Sequence, residues 1–249
     1  RNGTTYCSSP GSDPNIFMAR DFAPVLTVTD DDRFIIAWQR ERYSNKRFSG
    51  DLYYSVLDRT GTSLLSPSAL VANVLVSNPR LLALPGARVL VLWDQPPDVY
   101  YAVLNSAGQV SRPPANLPAG LGGNNGRADA VALANGNVFI AWIQDSTLAY
   151  TILNPAWETV VPRTRLTNPW SNSNDAVSVT TVPGGQVVLT WQNGASSCLY
   201  YALLTESGQV VTSPMPFRQA REDWIAVNSQ GYGNAPANFI YVAPTPTPP

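Results

Sequence analysis

The 249-residue sequence contains no histidine and a single lysine, Lys46. Without imidazole there is no Ser-His-Asp or Cys-His catalysis, no His-ligated zinc and no imidazole pH switch. Two cysteines, Cys7 and Cys198, cannot build a thiolate metal cluster, although they suffice for one disulfide. No apolar run approaches the ~20 residues of a membrane-spanning helix. Charge is sparse, with 16 basic and 17 acidic side chains and a formal net charge of -1. That balance argues against a nucleic-acid partner, which requires a basic face. Only four glutamates are present, Glu41, Glu158, Glu206 and Glu222.

What the chain does hold is a repeat. Four apolar runs end in Trp38, Trp93, Trp142 and Trp191, at separations of 55, 49 and 49 residues. Each is followed by a second apolar run: Leu52-Tyr53-Tyr54, Val99-Tyr100-Tyr101, Leu148-Ala149-Tyr150 or Leu199-Tyr200-Tyr201. Turns such as Thr60-Gly61, Ala107-Gly108 and Ser207-Gly208 come next, and Trp157 stands in the corresponding turn of the third repeat. Ahead of each Trp run lies another turn: Asp30-Asp31-Asp32, Pro85-Gly86, Asn135-Gly136 or Pro183-Gly184-Gly185. Glycine supplies the positive φ of tight hairpins, and periods near 50 residues signal a propeller or similar array. No window holds helical periodicity, so the chain is expected to be all-β, with four short strands per repeat.

The chain ends complete the pattern. Trp224–Val227 and Phe239–Val242 provide two strands of a fifth unit, and Thr4–Cys7 and Asn15–Met18 provide the other two. The expected fold is a five-bladed β-propeller whose last blade is closed by N- and C-terminal strands, a closure that removes sheet edges. The alternative is a partial or larger propeller. Residues 1–242 then form one domain, and residues 243–249 form a Pro/Thr-rich tail or linker.

The succession of Gly turn, Trp-ended strand and Tyr-rich strand resembles the repeats of large bacterial exoproteins. The resemblance implies a blade and no particular activity. The Ser-x-Asp-x-Gly-x-Thr-Trp box of sialidase-type propellers is missing, as is the Gly-His/Trp-Asp pairing of WD propellers. An extracellular or cell-surface location is expected from three features: the tail, one disulfide's worth of cysteine (Cys7 with Cys198), and a start at Arg1 without an apolar leader.

Candidate site residues lie near the start of each innermost strand. Asp21, Asn78, Asp129, Asp175 and Asp223 recur there, with Arg127 and Arg221 among the neighbouring arginines. Such carboxylates could serve glycoside hydrolysis, hold calcium, or hydrogen-bond sugar hydroxyls. The competing reading is that each Asp accepts backbone N–H groups where its strand begins. Trp170 and Tyr232 sit in loops outside the repeat pattern and are candidates for ligand contact. The basic stretch Arg40, Arg42, Lys46 and Arg47 lies in an insertion of the first repeat, a place for a partner protein or an acidic glycan.

The main functional expectation is a secreted or cell-surface binding or interaction module, with a glycan or surface protein as partner. Two alternatives remain: a carbohydrate-active hydrolase using carboxylates at the channel mouth, and a self-assembling subunit of an extracellular filament or surface layer. No catalytic residue is assigned, and no cofactor is required beyond an optional calcium.

Overall fold

A computed structural model describes residues 18–44, 47–117, 125–166, 174–193 and 198–217. They form four four-stranded antiparallel sheets, each running in chain order from its first strand to its fourth. The first sheet holds β1 (Met18–Val28), β2 (Phe34–Ser44), β3 (Arg47–Leu57) and β4 (Ser63–Val74). The second holds β5 (Ser77–Leu84), β6 (Arg88–Gln95), β7 (Asp98–Asn105) and β8 (Val110–Asn116). β9 (Asn125–Ala132), β10 (Val138–Gln144), β11 (Thr147–Leu153) and β12 (Thr159–Leu166) make the third. The fourth comprises β13 (Asn174–Val182), β14 (Gln186–Asn193), β15 (Leu199–Thr205) and β16 (Val210–Pro216). First strands pack on one another in sequence, β1 on β5, β5 on β9 and β9 on β13. The arrangement is propeller-like, with each sheet a blade.

Side-chain alternation along the strands explains how the blades stack. Val89, Val91 and Trp93 of β6 pack toward the first blade, whereas Leu90 and Leu92 pack toward the third. In the same way Trp142 joins the core between blades two and three, and Trp191 the core between blades three and four. These three indoles are at most 2% exposed, so the repeated Trp is core packing between blades. Each repeated Trp that faces a Tyr across the strand pair also contacts its ring: Trp38 with Tyr53, Trp93 with Tyr100 and Trp191 with Tyr200, at 5.9–6.0 Å between centroids.

The next Tyr along the strand points to the other face and ties its blade to the following one. Tyr54 donates its hydroxyl proton to the carbonyl of Gly108 and Tyr150 to that of Gly208, both at 2.8 Å. The receiving turns carry glycine at φ near +80°, and a Cβ at Gly108 would lie 2.6 Å from Leu65 and 2.8 Å from Val56. Between blades two and three the same slot holds Trp157 at φ 67°, and its ring packs 5.6 Å from that of Tyr101. As expected from sequence, Trp157 stands where the other repeats place glycine. Contact with Tyr101 offsets the strain of a bulky residue in the left-handed region.

The meander gives each blade two ends. One end, the turn end, carries the β1–β2 and β3–β4 hairpins and their counterparts. At the opposite end, the link end, the second strand of each blade ends and its third begins, and each blade's fourth strand ends near where the next blade's first begins. The first blade is taller at the link end than the others. β2 runs six residues past Trp38 and pairs with β3 out to Ser44 and Arg47, whereas β6, β10 and β14 stop two residues past their tryptophans. Arg40, Arg42 and Arg47, expected in an inserted loop, therefore lie on the strands of an extended hairpin, while Lys46 lies outside the described residues. The start of β1 pairs along it, with Met18 opposite Tyr43.

The outward faces of the first and fourth blades differ from all the others. Leu26 and Val28 are 54% and 46% exposed, while Leu81 and Ala130, the equivalents of Leu26 in the second and third blades, pack on the preceding blade. Tyr201 of the fourth blade, the counterpart of Tyr54 and Tyr150, is only half-buried. Among the described residues, β13 does not pack on β1 in the way that β5 does.

Candidate functional site

The polar residues of the first strands converge at the link end because each strand there carries a bulge. The register between β5 and β6 shifts between Ser77 and Arg80, and that between β9 and β10 shifts opposite Trp142. Bulge residues Ala23, Asn78 and Arg127 all have φ between 50° and 57°. The bulges also break the expected equivalence of the acidic positions. Asn78 occupies a bulge, Asp129 lies two residues beyond the equivalent bulge residue Arg127, and Asp21 lies two residues before Ala23. Aligning the repeats without the extra residue hides this offset.

At the centre of the described site is a carboxylate outside the expected Asp and Asn positions. Asp94, directly after Trp93, is buried between the second and third blades. Its Oδ2 accepts hydrogen bonds from Asn78 Nδ2 (2.6 Å) and from the Arg127 backbone N–H (2.8 Å), and its Oδ1 accepts from the same N–H at 2.9 Å. A Cβ on Gly126 would stand 3.0 Å from Oδ2, so this position keeps the backbone close to the carboxylate. Burial pushes the Asp94 carboxyl above its ordinary range, against the lowering effect of these bonds and of Arg80 and Arg127. The matching residue of the first blade, Gln39, donates its amide to the carbonyl of Val76 in the second. The residue after the Trp thus ties one blade to the next in both cases, a signal that was present in the sequence.

Asp129 makes the corresponding tie one blade further on. Its Oδ2 accepts from the Val179 N–H (2.9 Å) and the Ser178 hydroxyl (3.2 Å) of the fourth blade. The residue keeps some surface, but its carboxyl is enclosed, and burial raises its pKa above the ordinary value. Arg80 opposes that rise at Asp129 as it does at Asp94, so its guanidinium lies in the field of both carboxyls. Asn78, Arg80, Asp94, Arg127 and Asp129 form one cluster at the inner link end.

Asp21 is placed apart from that cluster. It is exposed and holds Arg40 in a bidentate pair, Nε to Oδ1 at 2.6 Å and Nη2 to Oδ2 at 2.7 Å. The Arg40 guanidinium also lies 4.2 Å over the Tyr53 ring. Asp51, buried on the same sheet, accepts the Asn73 N–H at 2.7 Å. The Asp30–Asp32 turn lies at the other end, where Asp30 accepts the Gly86 N–H at 3.0 Å and Asp31 pairs with Arg33 at 3.3 Å. Cys198 is exposed at the link end, immediately before β15. The side chain of Asp175 and the whole of Asp223, Arg221, Trp170, Tyr232 and Cys7 lie outside the described residues.

No protein-family model matches the chain, and no curated protein matches its sequence. Solved structures do match it in fold. A protein of unknown function from Dyadobacter fermentans aligns at TM-score 0.60 and 12% identity, over 80% of this chain and 69% of that one. A Hadza microbial sialidase aligns at TM-score 0.56 and 14% identity, over 79% of this chain and 46% of its own. A GH62 hydrolase solved with xylotriose aligns at TM-score 0.50 and 11% identity, over 82% and 71% of the two chains. At these identities the likeness establishes a shared propeller-like fold.

Proposed function

We propose that this chain is a five-bladed, carbohydrate-active β-propeller that hydrolyses glycans at the link end. The fifth blade is built from residues 4–17 and 224–242, Met18 belonging to β1, and sits between the outward faces of the first and fourth blades. Its support is the exposure of Leu26 and Val28 and the half-buried Tyr201, where every other blade face is covered. In this reading residues 243–249 are a tail, Cys7 bridges to Cys198, and the protein works outside the cell or on its surface.

One observation carries the catalytic part: Asp129 is an enclosed carboxyl biased toward its protonated form, and both of its hydrogen bonds to the fourth blade fall on Oδ2. The Ala130 N–H also bears on this carboxyl, and in this proposal the proton sits on the oxygen that Val179 and Ser178 do not engage. A glycosidase needs such an acid beside an ionised carboxylate in a different environment. Asp94 does not fill the acid role, because both its oxygens are engaged by Asn78 and the Arg127 N–H. In this proposal the ionised partner is Asp175 on β13, the adjacent inner strand, and Trp170 and Tyr232 stack on sugar rings. The solved structures of similar fold include a sialidase and a GH62 hydrolase, which agrees with this chemistry.

A binding module without turnover is the second reading, favoured by the use of both inner carboxyls as ties between blades. One experiment separates the two. The purified chain is assayed against arabinan, xylan, galactan, polygalacturonate and sialosides, beside Asp129→Asn, which keeps the acceptor for Val179. Hydrolysis lowered about 10²-fold or more in the variant supports the acid role. Glycan binding without hydrolysis in either protein supports the binding module. Failure to bind or cleave any glycan contradicts both.

A further inference from the structure

The packing positions of the blades repeat their residue types, but one position of the inner strands does not. Val25 of β1, Arg80 of β5, Asp129 of β9 and Ser178 of β13 lie opposite Ala37, Leu92, Ala141 and Thr190, in each case the residue just before the repeated Trp. They therefore stand at one level on four successive inner strands. The residues after Arg80 and Asp129, Leu81 and Ala130, pack on the preceding blade, so by alternation Arg80 and Asp129 face the following one. Asp129 does so through its bonds to Ser178 and Val179. Tryptophan, tyrosine and glycine recur because each blade needs them to pack. A position that reads Val, Arg, Asp, Ser is not set by packing.

Arg80 is the residue at this level whose hydrogen-bonding capacity is least engaged. It is half-buried, and among the described residues its guanidinium makes one hydrogen bond, from Nη1 to the carbonyl of the adjacent Pro79 at 3.1 Å, and no ion pair. The two carboxyls in whose field it lies are held by other donors. Asn78 and the Arg127 N–H engage Asp94, while Ser178 and the Val179 N–H engage Asp129. A charge drawn partly out of water without a partner is unfavourable. The remaining N–H donors of this planar fork are thus open on the inner strand next to that of Asp129.

We infer that Arg80 is a sugar-binding residue whose fork donates to two adjacent hydroxyl oxygens of the monosaccharide on which Asp129 acts, orienting that ring at the inner link end. The inference rests on the glycan reading above and adds to it the residue that fixes the sugar's orientation. β5 packs on β9, and stacked sheets lie about 10 Å apart, so a sugar ring lying across the two strands meets both side chains. Two parallel N–H···O bonds set the rotation of the ring as well as its place.

The test compares the full chain with Arg80→Lys and Arg80→Ala in binding and turnover of arabinan, xylan, galactan, polygalacturonate and sialosides. Arg80→Lys discriminates best, because it keeps the positive charge near Asp94 and Asp129 while losing the fork. For a glycan that the unaltered chain binds, Kd is expected to rise about tenfold in Arg80→Lys and at least as much in Arg80→Ala. The thermal midpoint of the lysine variant and the pH dependence of its turnover should stay unchanged. An arginine that only balances the nearby carboxyls gives the opposite pattern, with full binding in the lysine variant and a shifted pH profile in the alanine variant. Binding by Arg80→Lys within about twofold of the unaltered chain overturns the inference and leaves the glycan reading intact. Loss of binding that accompanies a lowered thermal midpoint in the lysine variant also counts against it. If the unaltered chain neither binds nor cleaves any of these glycans, both fall.

Discussion

At the residue scale, the two enclosed carboxyls link blade packing to pH. Asp94 and Asp129 have folded-state pKa values raised by burial above those of the unfolded chain. The folded protein therefore binds more protons than the unfolded chain once pH passes the ordinary carboxylate value of about 3.8. Their contribution to stability is fully present below that value and is lost as pH rises through the raised values. Asp129→Asn removes this penalty at one site while keeping an acceptor for the Val179 N–H. Urea denaturation at pH 4 and pH 7.5 should show the variant gaining relative stability at the higher pH. Equal differences at both values would contradict the assigned burial effect. Glycine offers a second residue-scale test. Gly61→Ala and Gly108→Ala share a φ near +80°, but only at Gly108 does the new Cβ meet Leu65 and Val56 below 3 Å. Backbone strain should cost each about 1 kcal/mol, and Gly108→Ala should lose about 1–3 kcal/mol more through overpacking. Thermal melts of the two variants check the order.

At the element scale, each blade is fastened to the next by a hydroxyl, a carboxylate or an amide. Removing one fastener should cost about the worth of one hydrogen bond. Tyr150→Phe loses the bond to the Gly208 carbonyl and should destabilise by about 1–2 kcal/mol, because a partly buried carbonyl is left unpaired. Chemical denaturation with an unchanged m-value is the check. Much at this scale was legible in the sequence. The Trp-ended strands, the Tyr-rich strands, the glycine turns and the glycine slot taken by Trp157 follow from period-two patterning and turn chemistry. The bulges were not legible, because Asn78 and Arg127 adopt positive φ without glycine, and nothing local marks the extra residue. For that reason Asp21, Asn78 and Asp129 seemed equivalent although their registers differ. A lone Trp-Asp pair does not mark Asp94 as a site, because its role depends on the Arg127 N–H, 33 residues away. The tall hairpin reads as a loop in the sequence because its Arg-Glu-Arg run lacks the apolar alternation of a half-buried strand.

At the scale of the whole molecule, an open stack of four blades would leave two apolar faces in water. Ending the chain after residue 217 should therefore expose Leu26 and Val28 permanently. The shortened protein is expected to bind a hydrophobic dye or to associate, whereas the full chain stays monomeric and cooperative. Sedimentation and dye fluorescence of the two proteins report the outcome, and identical behaviour would contradict closure by the chain ends.

The central claim is that ligand chemistry belongs to the link end. Amide hydrogen exchange, compared with and without a glycan from the panel that the protein binds, tests it most directly. The account predicts new protection in residues 39–51, 76–80 and 125–129, around the tall hairpin, Asn78, Arg80, Arg127 and Asp129, with none in the turns at 58–62 and 105–109. Protection confined to those turns would contradict it.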